Sequence, residues 1–139
     1  MKKLTVAVVL DDNEGMLLFG KRQSRDRVLV ADFVESAGAA PVYAASFSKV
    51  IFENHAEVNL CENPLVEAPD GAWCFIENYL LTPYLDMIDT LIIYRWNRLY
   101  HSDVKFDVDV KKSGYKLKRS TEFAGSSHDK ITKEIYCKA

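Results

Sequence analysis

Asp89-Thr-Leu-Ile-Ile-Tyr-Arg-Trp-Asn-Arg-Leu-Tyr100 is the stretch around which the rest of the chain is organised. Its first part, Leu91-Ile92-Ile93-Tyr94, is apolar and β-branched and reads as a strand buried on both faces. Its second part, Tyr94-Arg95-Trp96-Asn97-Arg98, is dense in cationic and aromatic side chains. A strand that leaves the core carrying such a cluster marks a place for a site.

The chain has 139 residues, the size of one domain spanning 1–139. At 48% hydrophobic it can bury an ordinary core. A formal charge of −2 gives no electrostatic reason to expect nucleic acid as a partner. No apolar run approaches the ~20 residues that a spanning helix needs, so no membrane is expected. Met1-Lys2-Lys3 opens like a signal peptide, but Asp11 and Asp12 interrupt the apolar run that follows, which favours the cytoplasm. Cys61, Cys74 and Cys137 are odd in number and lack CxxC spacing, as expected for reduced thiols.

Before the organising stretch, apolar runs alternate between short strands and helical segments. Residues 3–10 read as a central strand, and Asp11-Asp12-Asn13-Glu14-Gly15 as a turn, its acidic spacing falling short of a calcium loop. Met16 to Phe19 reads as a small strand or a loop laid on the core. Ser24 is the expected cap of a helix running to Ala37, stopped by Gly38. A strand at 40–44, a helix from Ser46 to Glu53, a strand at 57–61, a turn of helix after Asn63-Pro64, a strand at 72–76 and a helix at 80–87 follow. Beyond the organising stretch the period becomes two, with strands expected at 104–110, 115–120 and 131–137, the last two forming a hairpin. The pattern predicts an α/β domain with a mixed, mostly parallel sheet and an antiparallel C-terminal hairpin.

The run Lys21-Arg22-Gln23-Ser24-Arg25-Asp26-Arg27 is strongly basic. Together, Arg25, Asp26, Tyr94, Arg95, Trp96 and Arg98, with Glu77 nearby, are expected at one mouth of the sheet, where open α/β sheets place ligands. Arg and Trp suit a planar or anionic small molecule, and Asp26 suits an acid or base. Ser126, Ser127, His128 and Asp129 are neighbours on a hairpin tip. A nucleophilic triad needs its members brought from separated elements, so a mobile polar tip is expected.

Val6-Ala7-Val8-Val9 followed by Asp-Asn-x-Gly, Leu91-Ile92-Ile93-Tyr94, Asp103-Val104-Lys105-Phe106, Gly114-Tyr115-Lys116-Leu117 and the closing hairpin from Glu122-Phe123 to Tyr136 together resemble the dihydrofolate reductase family. The resemblance implies that fold, with Asp26 in the place of the catalytic carboxylate and Tyr94 in that of its threonine partner. It also implies NADPH, held by a Gly-Gly pair after a strand. Here that place reads Phe75-Ile76-Glu77-Asn78, and the family's Gly-Arg-x-Thr turn appears as Ala44-Ala45-Ser46-Phe47. The tryptophan of the family's substrate loop is missing. The expectation is therefore a reduced member of this fold that binds a small ligand or a protein partner without the reductase chemistry.

Two alternatives remain open: an NADPH-dependent reductase of a pterin-like heterocycle, and a hydrolase or nuclease, which would require a metal or a positioned histidine. The opening residues also resemble a Nudix hydrolase, but its acidic Mg²⁺-binding box is not in the chain. No metal site is expected from the three scattered histidines, His55, His101 and His128. Exposed strand edges leave a homodimer open.

Overall fold

The computed structural model describes residues 2–139. Strands β1 (Leu4–Leu10), β2 (Gly15–Leu18) and β3 (Lys21–Arg22) open the chain, followed by helix α1 (Arg27–Ala37) and strand β4 (Val42–Ala45). Strand β5 (Asn59–Cys61), a four-residue helix α2 (Pro64–Glu67) and strand β6 (Trp73–Phe75) follow, then the organising strand β7 (Ile88–Arg95). Strands β8 (Val104–Lys105), β9 (Tyr115–Phe123) and β10 (Ile131–Lys138) complete it. The main sheet has seven strands in the order β5-β4-β6-β1-β7-β10-β9. Neighbours from β5 to β7 run parallel, and β10 is antiparallel to both β7 and β9. A small antiparallel sheet, β3-β2-β8, lies beside it.

Strand β7 sits between β1 and β10, and alternation sends its side chains to two cores. Leu91 and Ile93 join Val6, Val8, Leu10 and Ile76 on one face, beneath α2 and the small sheet. Ile92, Tyr94 and Trp96 join Leu29, Phe33, Phe52 and Phe75 on the other, beneath α1. Phe33 is fully buried, edge-on to Phe75 at 5.2 Å and tilted against Trp73 at 5.9 Å. At the free edge, β9 exposes Lys116, Lys118 and Arg119, charges that discourage strand-to-strand pairing there.

Several expected elements differ. Helix α1 is capped by Asp26 rather than Ser24, because the Asp26 carboxylate accepts from the N–H groups of Val28 and Leu29. Ser46–Phe52 and Thr82–Met87 form 3₁₀ rather than α-helices, the second led by Pro83 and burying no residue. The strand expected at 104–110 shrinks to Val104–Lys105, which pair with β2. Asp107 instead turns its carboxylate onto the N–H groups of Leu81 and Thr82 at 3.0 and 2.8 Å, taking the chain out of strand geometry.

Phe33→Ala is expected to lower unfolding free energy by about 3–5 kcal/mol, since it empties the centre of the α1 core. A urea midpoint shift corresponding to less than about 1 kcal/mol would mean that α1 is not anchored through this ring.

Candidate functional site

The parallel strands end on one side of the sheet, and three clusters gather there. The first is built on Asp26. Its Oδ1 accepts from Val28 N at 3.0 Å, Leu29 N at 3.2 Å and Ser126 N at 2.9 Å. Its Oδ2 accepts from Ser127 N at 2.8 Å and faces His128 Nδ1 at 3.3 Å. One carboxylate thus caps α1 and binds the tip of the β9–β10 hairpin. Burial alone would raise its pKa, but the N–H groups of Ser127, Ser126 and Leu29 and the His128 ring outweigh burial and hold it well below the ordinary carboxylate value. The approach is so close at Gly125 that an added Cβ would lie 2.2 Å from Asp26 Oδ2.

The tip is docked and not the free polar loop expected. His128 is 4% exposed and stacks on Trp96, with ring centroids 4.3 Å apart and planes 18° from parallel. Its Nε2 lies 2.7 Å from the Tyr100 hydroxyl, and its Nδ1 lies 3.0 Å from Ser127 Oγ. The network assigns the tautomer. Ser127 Oγ donates its one proton to the Arg25 carbonyl at 2.5 Å, so it meets the ring with a lone pair. The ionised Asp26 only accepts. Nδ1 therefore carries the proton, and Nε2 accepts from Tyr100. The Tyr100 backbone N–H is fixed in turn by Asp11 Oδ2 at 3.1 Å. Asp11, fully buried, also gathers the N–H groups of Asn13 and Gly15 and the Gln23 amide.

The second cluster surrounds Glu77, at the end of β6. Its carboxylate takes a two-pronged bond from Arg22, 2.9 Å on each oxygen, and accepts from Ser48 Oγ at 2.7 Å. Arg22 also donates to the Phe47 carbonyl at 3.0 Å, its guanidinium 4.9 Å from the centre of the Phe47 ring. This latch ties β3, the loop after β6 and the 3₁₀ helix that follows β4.

The third feature is a cleft of about 310 Å³ between the start of α1 and that 3₁₀ helix, lined by Arg25, Arg27, Val30, Val50, Ile51 and Asn54 among others. Arg25 and Arg27 are exposed, and among the described residues neither forms an ion pair.

The expected single mouth is therefore divided. Asp26 and Trp96 come together, but through His128. Trp96 and Glu77 line one narrow crevice beside Met16 and Gln23. Tyr94 meets Asp32, not Asp26: its hydroxyl donates to Asp32 Oδ2 at 2.7 Å, and Lys133 Nζ reaches the same oxygen at 2.8 Å. The reason is helical phase. With Asp26 spent at the cap, Asp32 is the carboxylate that α1 turns toward β7. Burial, with the Asp32 charge beside it, pushes the Tyr94 phenol far above its ordinary pKa. Arg95 points to the opposite face, between Glu134 at 2.7 Å and Glu14 at 2.9 Å. Arg98 is exposed at a shallow cavity of about 430 Å³ with Asp12, Trp96, Asn97, His128, Asp129 and Lys130. Sequence reasoning read Asp11 only as a turn residue and missed its bond to Tyr100, 89 positions away, along with Tyr100 and Gln23 themselves. Among the described residues no group of three His, Cys, Asp or Glu is placed to hold a metal ion, and no helix is long and apolar enough to cross a membrane.

No protein-family model matches the chain, and no curated protein matches it in sequence. Its fold has a counterpart in dihydrofolate reductase from Enterococcus faecalis complexed with NADP(H) and RAB-propyl. The two agree with a TM-score of 0.68 over 97% of this chain and 95% of that one, at 11% sequence identity. The α/β fold is thus dihydrofolate reductase-like.

Asp26→Asn is expected to cost about 2–4 kcal/mol at pH 7, through loss of charge-assisted bonds to buried donors. Because folding depresses this pKa, the carboxylate's contribution is full above the unfolded value, about 4, and declines as pH falls through the folded one. The gap between wild type and variant in urea should therefore narrow toward pH 3. A constant gap would refute the assigned ionisation. Gly125→Ala should cost at least about 1–3 kcal/mol by forcing the tip off Asp26.

Proposed function

We propose that this chain uses a dihydrofolate reductase-like fold as a binding domain for a small anionic molecule and does not carry out hydride transfer from a dinucleotide. The observation that carries the reading is the Arg22–Glu77–Ser48 latch. A diphosphate binds where backbone N–H groups are free and the chain can approach closely. The resemblance puts that place at the end of β6, where Glu77 brings bulk and negative charge, with its oxygens already bonded to Arg22 and Ser48. These residues do not fit a dinucleotide phosphate.

The cleft at the start of α1 supplies what an anionic ligand needs. Arg25 and Arg27 offer two exposed guanidinium groups above an apolar wall of Val30, Val50 and Ile51, outnumbering the one exposed carboxylate of the lining, Glu53. Asp26 lies beneath as a spent carboxylate, so this reading gives it a positioning role in place of an acid–base one. Trp96 lines two neighbouring cavities, and Arg98 and Arg95 stand outside the cleft.

The second reading, an NADPH-dependent reductase of a pterin-like heterocycle, draws its support from the NADP(H) named with the Enterococcus faecalis counterpart and from the place of Asp26 at the head of α1.

Titration with NADPH, following cofactor fluorescence and melting temperature together, separates the two. The expected result is no binding at millimolar cofactor. Micromolar binding with a matching rise in melting temperature would instead establish the second reading. In parallel, a thermal-shift panel of aryl carboxylates and aryl phosphates is expected to yield a ligand whose affinity falls about tenfold or more in Arg25→Gln and in Arg27→Gln, each variant losing one charge-assisted bond.

A further inference from the structure

The geometry points to a base-activated phenol at Tyr100, served by His128 and Asp26, as a nucleophilic centre for an electrophilic group-transfer donor. Three segments distant in sequence build it. Asp26 comes from the cap of α1, Tyr100 from the loop after β7 and His128 from the β9–β10 tip. The order is carboxylate, imidazole, hydroxyl: Asp26 Oδ2 to Nδ1 at 3.3 Å, then Nε2 to the Tyr100 oxygen at 2.7 Å. This is the order in which a carboxylate orients an imidazole to take a proton from a hydroxyl nucleophile.

Holding the hairpin tip does not require the ring. The N–H groups of Ser126 and Ser127 already bind Asp26. The imidazole adds a directed acceptor aimed away from the carboxylate at a hydroxyl on a third segment. Its plane is fixed by the Trp96 stack and its tautomer by Asp26 and Ser127. Tyr100 is partly exposed between exposed Leu99 and His101, whereas His128 is buried. Tyr100 is thus the least buried member of the relay. The other charged groups near the ring are Asp129 and Lys130 on the tip and Asp12 and Arg98 at the adjacent cavity rim. The Tyr100 and His128 end of the relay lies outside the Arg25/Arg27 cleft, which the relay touches only through Asp26.

An arylsulfonyl fluoride is a suitable probe. The Tyr100 oxygen bonds to sulfur, the S–F bond breaks and fluoride leaves. The phenolic proton passes to His128 Nε2, giving an imidazolium ion beside the Asp26 carboxylate. The whole protein is labelled at neutral pH and the adducts are mapped by peptide mass spectrometry, with Tyr79 and Tyr84, also partly exposed, as internal references. Tyr100 is expected to react on the order of 10²-fold faster than the references, the scale of general-base assistance. In His128→Gln that preference should vanish while reference labelling and the folded circular-dichroism spectrum persist. Equal rates at Tyr100 and Tyr79 in the wild type would overturn the inference, as would undiminished Tyr100 labelling in folded His128→Gln. If that variant does not fold, the wild-type comparison decides alone.

Discussion

A single buried carboxylate holds the strand-end side of this molecule together. Asp26 closes the first turn of α1 and receives the backbone of the β9–β10 tip on the same two oxygens. An ionised group in a dry interior is tolerated only when its lone pairs are filled, so the donors must arrive together. That condition places residues 125–128 against residues 26–29. It also explains the glycine at 125, where any side chain would meet the carboxylate. Through His128 and Tyr100 the constraint reaches Asp11, the second buried carboxylate, which shapes the β1–β2 turn. Two charges, joined by one imidazole and one phenol, organise the loops at the strand ends.

The period of β7 explains why one run of residues serves several purposes. Tyr94 and Trp96 share the face beneath α1, and Arg95 lies on the other. Tyr94 is drawn into a part-buried group with Asp32 and Lys133, which pairs the middle of α1 with β10. Trp96, two residues on, reaches the strand end and becomes the platform for His128. Arg95 works between Glu14 and Glu134, linking the β1–β2 turn to β10. The density of cationic and aromatic residues in this stretch is thus divided among a core pair, a stacking platform and a surface bridge.

The likeness to dihydrofolate reductase in backbone path and the chemistry at the end of β6 carry different messages. Backbone path follows from the order of strands and the burial of their faces, which 11% identity suffices to preserve. Phosphate recognition depends on free N–H groups and on the absence of side chains at particular positions. Glu77, gripped by Arg22 and Ser48, puts a charged side chain at that place. Backbone path and the side chains at the end of β6 are thus set by different constraints.

The sequence by itself determined most of the strands, the α/β class, the antiparallel C-terminal hairpin and the end of α1 at Gly38. Those features rest on local period, turn residues and side-chain type, which are written along the chain. It also singled out Asp26, as an acid or base and through the family resemblance, and Trp96, as a bulky aromatic at a strand end, while placing the cap at Ser24. Tertiary structure alone decided that Asp32 and not Asp26 meets Tyr94, that Arg95 leaves the cluster, and that His128 lies buried between Trp96 and Tyr100. The partners of these residues lie far away in sequence, His128 to Asp26 across 102 positions. The register of β10 on β7 and the docking of its tip on Asp26 bring them together. A polar hairpin tip has the same composition whether it is solvated or docked, and only the buried carboxylate waiting for its donors distinguishes the two.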